Sequence, residues 1–481
     1  MSMISSVKFY SLDNKILFIN PPISLDLRYG FLKNVANRLP NLGLACLASV
    51  ARQKKWKTNI IDTAVLNISL NRLVDFIKEE KPSIVAITVN TLSFPVVTLL
   101  AHKIKLELES VVVLVGGPHI SISPQKSLEE CSAIDIGVIG EGELTLIDIL
   151  DYLEGSKNIE DIEGIVYREE GMVMFNKLRN PIRDLDSLPL PAWDLLPDIR
   201  RFYSPSIQCV KKLPAANLVL SRGCPYNCSF CDHSVFGYRI RTYSPGYVLI
   251  MIKDLINNFG IRDFAIHDEC IFSDKENFLE ICKLIIKEKL NISWTIQLRV
   301  DQVSLDYLKI MKKAGCWQVQ VGIESGSDSI LKLLNKNITR KEIKYSCDLI
   351  KKAGLSSKGF FMLGSPGESL KTIKESFIFA LNLPLDDFQL TFFTPYLGAP
   401  IYREIGRWGK LISNNFSEMS GYNVVFLPYG LSANDLKFWF KKFYKKFYFR
   451  PRILIKHLFK MKEPSLWGLY LKSFKSVVEL F

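Results

Sequence analysis

Residues 217–231 read NLVLSRGCPYNCSFC. A short β-rich run ends at Ser221, and a tight turn through Arg222 and Gly223 leads into Cys224, Cys228 and Cys231, spaced Cys-x3-Cys-x2-Cys. The chain then alternates. Strand-like runs recur at 263–267, 293–298, 318–323, 357–363 and 388–393, with helical patterns such as 275–289, 304–313 and 340–353 between them. Strands alternating with helices of this length form parallel sheets with the helices packed outside. With 217–221 as the first strand, six units predict an incomplete (β/α)6 barrel of TIM type over 213–395. Its chemistry would lie at the carboxyl ends of the strands. The cysteine loop sits at the first of those ends.

Upstream, strand candidates at 15–20, 58–62, 83–89, 111–116 and 135–140 each precede a helical stretch, near 40–53, 68–80, 93–107, 124–131 and 142–154. Continuous apolar strands of this kind predict a doubly wound, Rossmann-like parallel sheet over 1–160, covered on both faces. No G-x-G-x-x-G follows the first strand, so the dinucleotide fingerprint is missing. Glycines close later strands instead, in Gly116-Gly117-Pro118-His119 and Gly140-Glu141-Gly142-Glu143. Such glycines let a backbone approach a bulky ligand closely. Residues 161–212 read as a hairpin turning at Glu170-Gly171, followed by an ordered, Pro-rich linker. Residues 396–481 lose the alternation and read as a small helical, basic and aromatic region.

Composition agrees with this multidomain α/β plan. A chain of 481 residues exceeds one compact core, and 48% hydrophobic with 23% charged residues is the balance of a folded protein. The N-terminal MSMISSVKFYSLDNK lacks a secretory leader's apolar stretch. The longest uncharged run, 82–102, is interrupted by Asn90, Thr91, Ser93 and Pro95, which suits a strand, loop and helix start rather than a membrane span. A cytoplasmic location is expected. Seven cysteines are scattered singly (Cys46, Cys131, Cys209, Cys270, Cys282, Cys316, Cys347), as reduced, buried thiols are. The net charge of +13 is concentrated at 437–475, where ten Lys and two Arg face one acidic residue, Glu463.

The remaining three cysteines need their own explanation. Three thiolates on one loop can hold three irons of a [4Fe–4S] cluster and leave the fourth iron open to a substrate or cosubstrate. Zinc is the competing reading. It would want a fourth ligand, and His233, two residues beyond Cys231, stands too close to complete a clean tetrahedron.

The loop resembles the signature of radical S-adenosylmethionine enzymes, including the aromatic Phe230 before the third cysteine. The resemblance implies that the open iron chelates S-adenosylmethionine, whose reductive cleavage gives a 5′-deoxyadenosyl radical. It also implies contacts to that cosubstrate from Phe230, Asp268, Arg299, Glu324, Ser325, Gly364 and Pro366. Relatives commonly have Asp-Asp and an aromatic where this chain has Asp268, Glu269 and Cys270, so the roles of Asp268 and Glu269 depart from the pattern. Thr394-Pro-Tyr-Leu-Gly-Ala-Pro400 is similar to a segment of the family, with Leu397 where proline is commoner. The first domain is similar to the cobalamin-binding domain fused to many of these enzymes, with Leu42, Gly43, Thr88, Asn90, Thr91, Gly116, Gly117, His119, Gly140 and Glu141 as its expected contacts. The Asp-x-His-x-x-Gly loop of stand-alone cobalamin domains is absent, so cobalt is expected to lack a histidine ligand.

The resemblance implies methyl transfer to an unactivated carbon of a small-molecule or lipid-like substrate. One S-adenosylmethionine supplies the methyl of methylcobalamin, a second supplies the radical, and an electron donor such as flavodoxin or ferredoxin supplies electrons. Oxidative cyclisation or ring rearrangement uses the same cofactors. RNA methylthiolation would want three more cysteines in the N-terminal domain, which has only Cys46 and Cys131; a non-catalytic cobalamin sensor would not need the cysteine loop. Residues 437–460, KFWFKKFYKKFYFRPRILIKHLFK, fit a helix with its aromatic face on the barrel and its lysines in water. The sharper alternative is peripheral contact with an anionic membrane. Aromatics this bulky and frequent do not suit a simple phosphate-binding run, which leaves nucleic acid the less favoured partner.

Overall fold

A computed structural model describes residues 14–460 and 463–479. Residues 1–13, where the absence of a leader was read, and the side chains of Lys460, Lys462 and Lys475 lie outside the described part. The chain forms two compact units. One comprises Pro40–Tyr203 with the residues up to Ser24 and His233–Gly237; the other comprises Leu25–Leu39, Ser204–Asp232 and the chain from Tyr238 on.

The first unit is built on seven strands: β1 Lys15–Asn20, β2 Lys57–Asp62, β3 Ile84–Thr88, β4 Val112–Gly116, β5 Ile136–Val138, β6 Ile165–Glu169 and β7 Met172–Phe175. They lie in the order β2-β1-β3-β4-β5-β6-β7, parallel through β5 and antiparallel thereafter. Helices cover both faces, which explains why β1 carries four consecutive apolar residues, Ile16 to Ile19, all fully buried. The order reverses at β1, between β2 and β3, and such switch points open a crevice at the strands' carboxyl ends. The hairpin expected over 162–176 turns at Glu170-Gly171, but it belongs to this sheet as its edge rather than to a separate linker.

The second unit holds β8 Ala215–Leu218, the short pair β9 Ser221–Arg222 and β10 Arg241–Thr242, then β11 Asp263–Ile266, β12 Ser293–Leu298, β13 Cys316–Glu324, β14 Ser356–Leu363 and β15 Asp387–Phe392. Strands β8, β11, β12, β13, β14 and β15 neighbour one another in sequence order and run parallel, the arrangement of a half-barrel. Helices such as Lys275–Lys287, Arg340–Lys352 and Leu370–Asn382 connect them.

The region after Pro395 is not wholly helical, because β16 Gly409–Leu411 pairs with β17 Phe426–Pro428. The helix Ala433–Tyr448 then lays an aromatic stripe on the outer face of β14 and β15. Phe447 packs 4.4 Å from Phe388, Phe440 4.8 Å from Phe392 and Phe443 6.5 Å from Phe361, centre to centre. Burying each such ring stabilises the fold by roughly 2–3 kcal/mol. A reciprocal Ser432–Asp435 cap starts this helix, and Lys441, Lys445 and Lys446 stay in water on its far side. Among the described residues no helix is long and apolar enough to cross a membrane.

Successive residues of a strand point to opposite faces. Because Phe361, Phe388 and Phe392 face the helix, Lys358, Phe360, Met362, Gln389 and Thr391 face the concave side.

Candidate active site

In the second unit, the cysteine loop is fixed from both ends. Asp268, fully buried beyond β11, accepts through Oδ1 from the backbone of Leu220 (2.9 Å), from the backbone of Ser221 and from the Ser221 hydroxyl (2.8 Å). Burial pushes its carboxyl up to about 7 against the pull of those bonds. Glu269 accepts from the backbone of Gly223. The HDE sequence at the end of β11 therefore aims the strand-to-loop turn. At the other end, Ser229 donates to the Leu334 carbonyl (2.9 Å) and Ile401 donates to the Ser229 carbonyl (2.9 Å).

Two cations serve the loop. Arg299 follows β12, is 8% exposed, and donates to the Cys228 sulfur at 3.7 Å and to the Lys336 carbonyl at 2.9 Å. Its guanidinium pairs with Asp301 (3.1 Å) and lies 3.6 Å from the centre of the Tyr226 ring. Lys336 is buried in an ion pair with Glu324 (2.9 Å), and its ammonium sits 5.6 Å from the Phe230 ring centre. The pair needs Gly322: a Cβ there would stand 2.6 Å from Glu324 Oε1 and 3.0 Å from Lys336 Nζ. Glu324 itself adopts φ +62°, uncommon for a residue with a Cβ.

Cys270, read as one of the scattered thiols, lies beside the loop and shares a hydrogen bond with Cys224. With one proton between them, Cys224 is pushed up and Cys270 is drawn down to about 6. Cys231, at the end of the loop, is exposed. Among the described residues no three His, Cys, Asp or Glu side chains are gathered as a single ion requires. Three cysteines on one loop with a cation at Cys228 form a donor set that fits an iron–sulfur cluster, whose thiolates spread around a cube.

The expected S-adenosylmethionine contacts fall at the carboxyl ends of the strands, with different surroundings. Ser325 is fully buried against Ser376 (3.1 Å), so it braces the end of β13. Gly364 starts the turn after β14 at φ +77°, and Pro366 is buried within it. Glu368 closes that turn by accepting from Gly364 (2.6 Å), and burial pushes its carboxyl up to about 8. Asp268 Oδ2, Glu368 Oε1 and Ser365 Oγ are buried without a hydrogen-bond partner. Such orphaned atoms suit the amino, hydroxyl and adenine groups of S-adenosylmethionine.

In the first unit, the expected contacts gather at the carboxyl edge of the sheet. Asn41 caps the helix that Leu42 begins, accepting from Leu44 (3.1 Å), and leaves Gly43 exposed. Thr88, Gly116, Gly117 and Gly140 are half-buried along the edge, and Asn90 is exposed while capping Ser93 (2.9 Å). Gly117 has φ +124°, and a Cβ there would meet the Val89 carbonyl at 2.6 Å, so the loops after β3 and β4 close only around glycine. These open backbones fit a bulky corrin. Three of the candidates are turned inward. Glu141 accepts from the Ile182 backbone at 2.7 Å. Thr91 meets His119 Nδ1 at 3.3 Å, and the His119 ring, 1% exposed, packs 4.2 Å from Phe94. Burial lowers the His119 pKa to about 4.

The sequence did not single out Lys336, Asp301 or the position of Cys270. Nothing in their spacing marks them, because the loop meets them only through the barrel's curvature.

Half-barrel, cysteine loop and glycine-edged parallel sheet together define an enzyme with two large cofactors. A model of the radical SAM superfamily matches residues 218–380, and one of the B12 binding domain matches residues 30–150. The chain belongs to the cobalamin-binding radical S-adenosylmethionine enzymes, with a [4Fe–4S] cluster, S-adenosylmethionine and cobalamin as cofactors. It is 32% identical over 446 residues to an uncharacterized methyltransferase of Pyrococcus horikoshii, covering 92% of this chain and 95% of that one. It is 26% identical to the anaerobic magnesium-protoporphyrin IX monomethyl ester cyclase of Cereibacter sphaeroides, over 87% of this chain and 68% of the relative. A similar solved structure is that of the cobalamin-dependent S-adenosylmethionine radical enzyme OxsB with aqua-cobalamin and S-adenosylmethionine bound. Its TM-score is 0.75 at 18% identity, over 96% of this chain and 72% of that chain.

Proposed function

We propose that this enzyme transfers a methyl group to an unactivated carbon of a small-molecule or lipid-like substrate held on the concave side of the half-barrel. The observation that carries the reading is the likeness to the Pyrococcus horikoshii methyltransferase along nearly the whole chain. When bound, the cluster and S-adenosylmethionine supply a hydrogen-abstracting radical, and cobalamin supplies the methyl group.

The chain's own residues place and shield these groups. Cys224, Cys228 and Cys231 hold the cluster, with Arg299 balancing charge at Cys228. Asp268 sets the entry of the loop, and its free oxygen, with those of Ser365 and Glu368, receives polar groups of S-adenosylmethionine. Gly364 and Pro366 shape the turn beside them, and Phe230 and Glu324 keep Lys336 in place under the loop. Leu42, Gly43, Thr88, Asn90, Gly116, Gly117 and Gly140 line the cobalamin edge, with Thr91, His119 and Glu141 packed beneath it. Electrons come from a reductant such as flavodoxin or ferredoxin. The cyclase likeness favours oxidative cyclisation as the second reading, since it needs the same cofactors.

Reaction of the reduced holoenzyme with methyl-deuterated S-adenosylmethionine and candidate substrates separates the two. Methyl transfer gives a product carrying the label on carbon. A product that has lost hydrogen without gaining label assigns cyclisation instead.

A further inference from the structure

The concave face of the half-barrel carries a polar row with a cation at one end. Strand register aligns Gln297 of β12 with Gln320 of β13, and Gln320 with Lys358 of β14. His267, one residue past Ile266 of β11, extends the row, since Ile266 is in register with Ile296. The row runs from open to closed. His267 is exposed and Gln297 half-buried, while Gln320 is 5% exposed and Lys358 2% exposed.

The Lys358 ammonium donates to Gln389 Oε1 (3.1 Å) and to the Cys209 sulfur (3.5 Å), and lies 5.3 Å from the Phe360 ring centre. No carboxylate among the described residues pairs with it. Burying an ammonium without a counter-charge is costly, and a third N–H remains to be satisfied. Next to the row, Gln318 is fully buried; its Oε1 accepts from Gln320 (3.1 Å), and its Nε2 has no partner. Among the described residues neither His267 nor Gln297 has a side-chain hydrogen-bond partner. One buried donor without an acceptor, Gln318 Nε2, thus stands on the strand next to one buried positive charge.

We propose that Lys358 and Gln318, reached along His267, Gln297 and Gln320, bind an anionic group of the substrate, a carboxylate or a phosphate. The anion supplies the charge that Lys358 lacks and accepts from the Gln318 amide. Phe360 and Met362, half-buried on the same face of β14, take the apolar part of the molecule. The proposal rests on the reading that the half-barrel holds the substrate.

Butyl phosphate, butyrate and butan-1-ol, titrated into the holoenzyme and followed by ligand-observed NMR, test this. The wild type should bind one or both anions about ten- to a hundredfold more tightly than the alcohol. The stronger anion tells phosphate from carboxylate. Lys358→Met should abolish the preference and leave the alcohol unaffected, and Gln318→Leu should reduce it. Spectra of cluster and cobalamin on the same samples show that each variant is folded. If Lys358→Met fails to load them, Gln318→Leu decides. No preference for anions in the wild type, or an undiminished preference in the folded variants, would overturn the proposal. A Lys358-dependent preference in an enzyme that transfers no methyl group would sink the methyl-transfer reading alone.

Discussion

The guanidinium of Arg299 reaches the sulfur of Cys228 at 3.7 Å while Asp301 holds it from the other side. A cation at one cysteine stabilises a cluster that gains an electron, because reduction adds negative charge there. Arg299→Met should therefore keep the cluster and lower its reduction potential by about 60 mV, a tenfold change for a one-electron couple. Potentiometric titration followed by electron paramagnetic resonance measures it. An unchanged potential would make Arg299 a purely structural tie.

Lys336 and Glu324 form a buried pair under Phe230. Lys336→Met leaves the Glu324 carboxylate without its partner and should cost about 3–5 kcal/mol. The double change Lys336→Met with Glu324→Gln should recover part of that loss. Denaturant unfolding of these two variants, Glu324→Gln and the wild type gives the coupling, and additive losses would contradict the buried pair.

His119 makes the first unit sensitive to acid. Its pKa is about 4 in the folded protein against about 6.5 unfolded, so the unfolded chain takes the proton first as pH falls. Stability is full above pH 6.5 and is lost between 6.5 and 4, by about 3 kcal/mol in all. His119→Phe should flatten that part of the pH profile. A profile unchanged by the substitution would mean that another group titrates.

The aromatic stripe of the helix Ala433–Tyr448 is spent on the barrel, but Phe438, Phe449 and Trp467 remain more than half exposed, with Lys441, Lys445 and Lys446 on the same helix as Phe438. Each basic residue near an anionic bilayer contributes about 1 kcal/mol. The wild type should pellet with anionic vesicles at low salt and less so at high salt. Changing the three lysines to glutamine should weaken this without lowering the melting temperature. Equal partitioning of both proteins would leave the helix as a cap only.

Much of the fold was legible because burial writes itself into periodicity. KILFIN at β1 and SWTIQL at β12 are apolar enough to mark their own strands, and their bounds in the structure match the expected ones. The cysteine loop was legible because three thiols at close spacing have few other uses. What escaped depends on distant residues meeting. Lys336 is one lysine in a lysine-rich sequence until the end of β13 brings Glu324 to it, and Cys270 looks like any buried thiol until Asp268 and Glu269 pull the loop toward β11. The edge-strand role of the 165–175 hairpin was hidden likewise, since pairing to β5 leaves no local mark. The pairing of β16 with β17 was missed because each strand has only three residues.

The most direct measurement is the anaerobic formation of 5′-deoxyadenosine by the reduced protein, compared with the variant in which Cys224, Cys228 and Cys231 are all alanine. The expected result is cleavage by the wild type, and neither cluster absorbance nor cleavage in the variant, with cobalamin still bound by both proteins. Continued cleavage of S-adenosylmethionine by the triple variant would contradict the assignment of the loop.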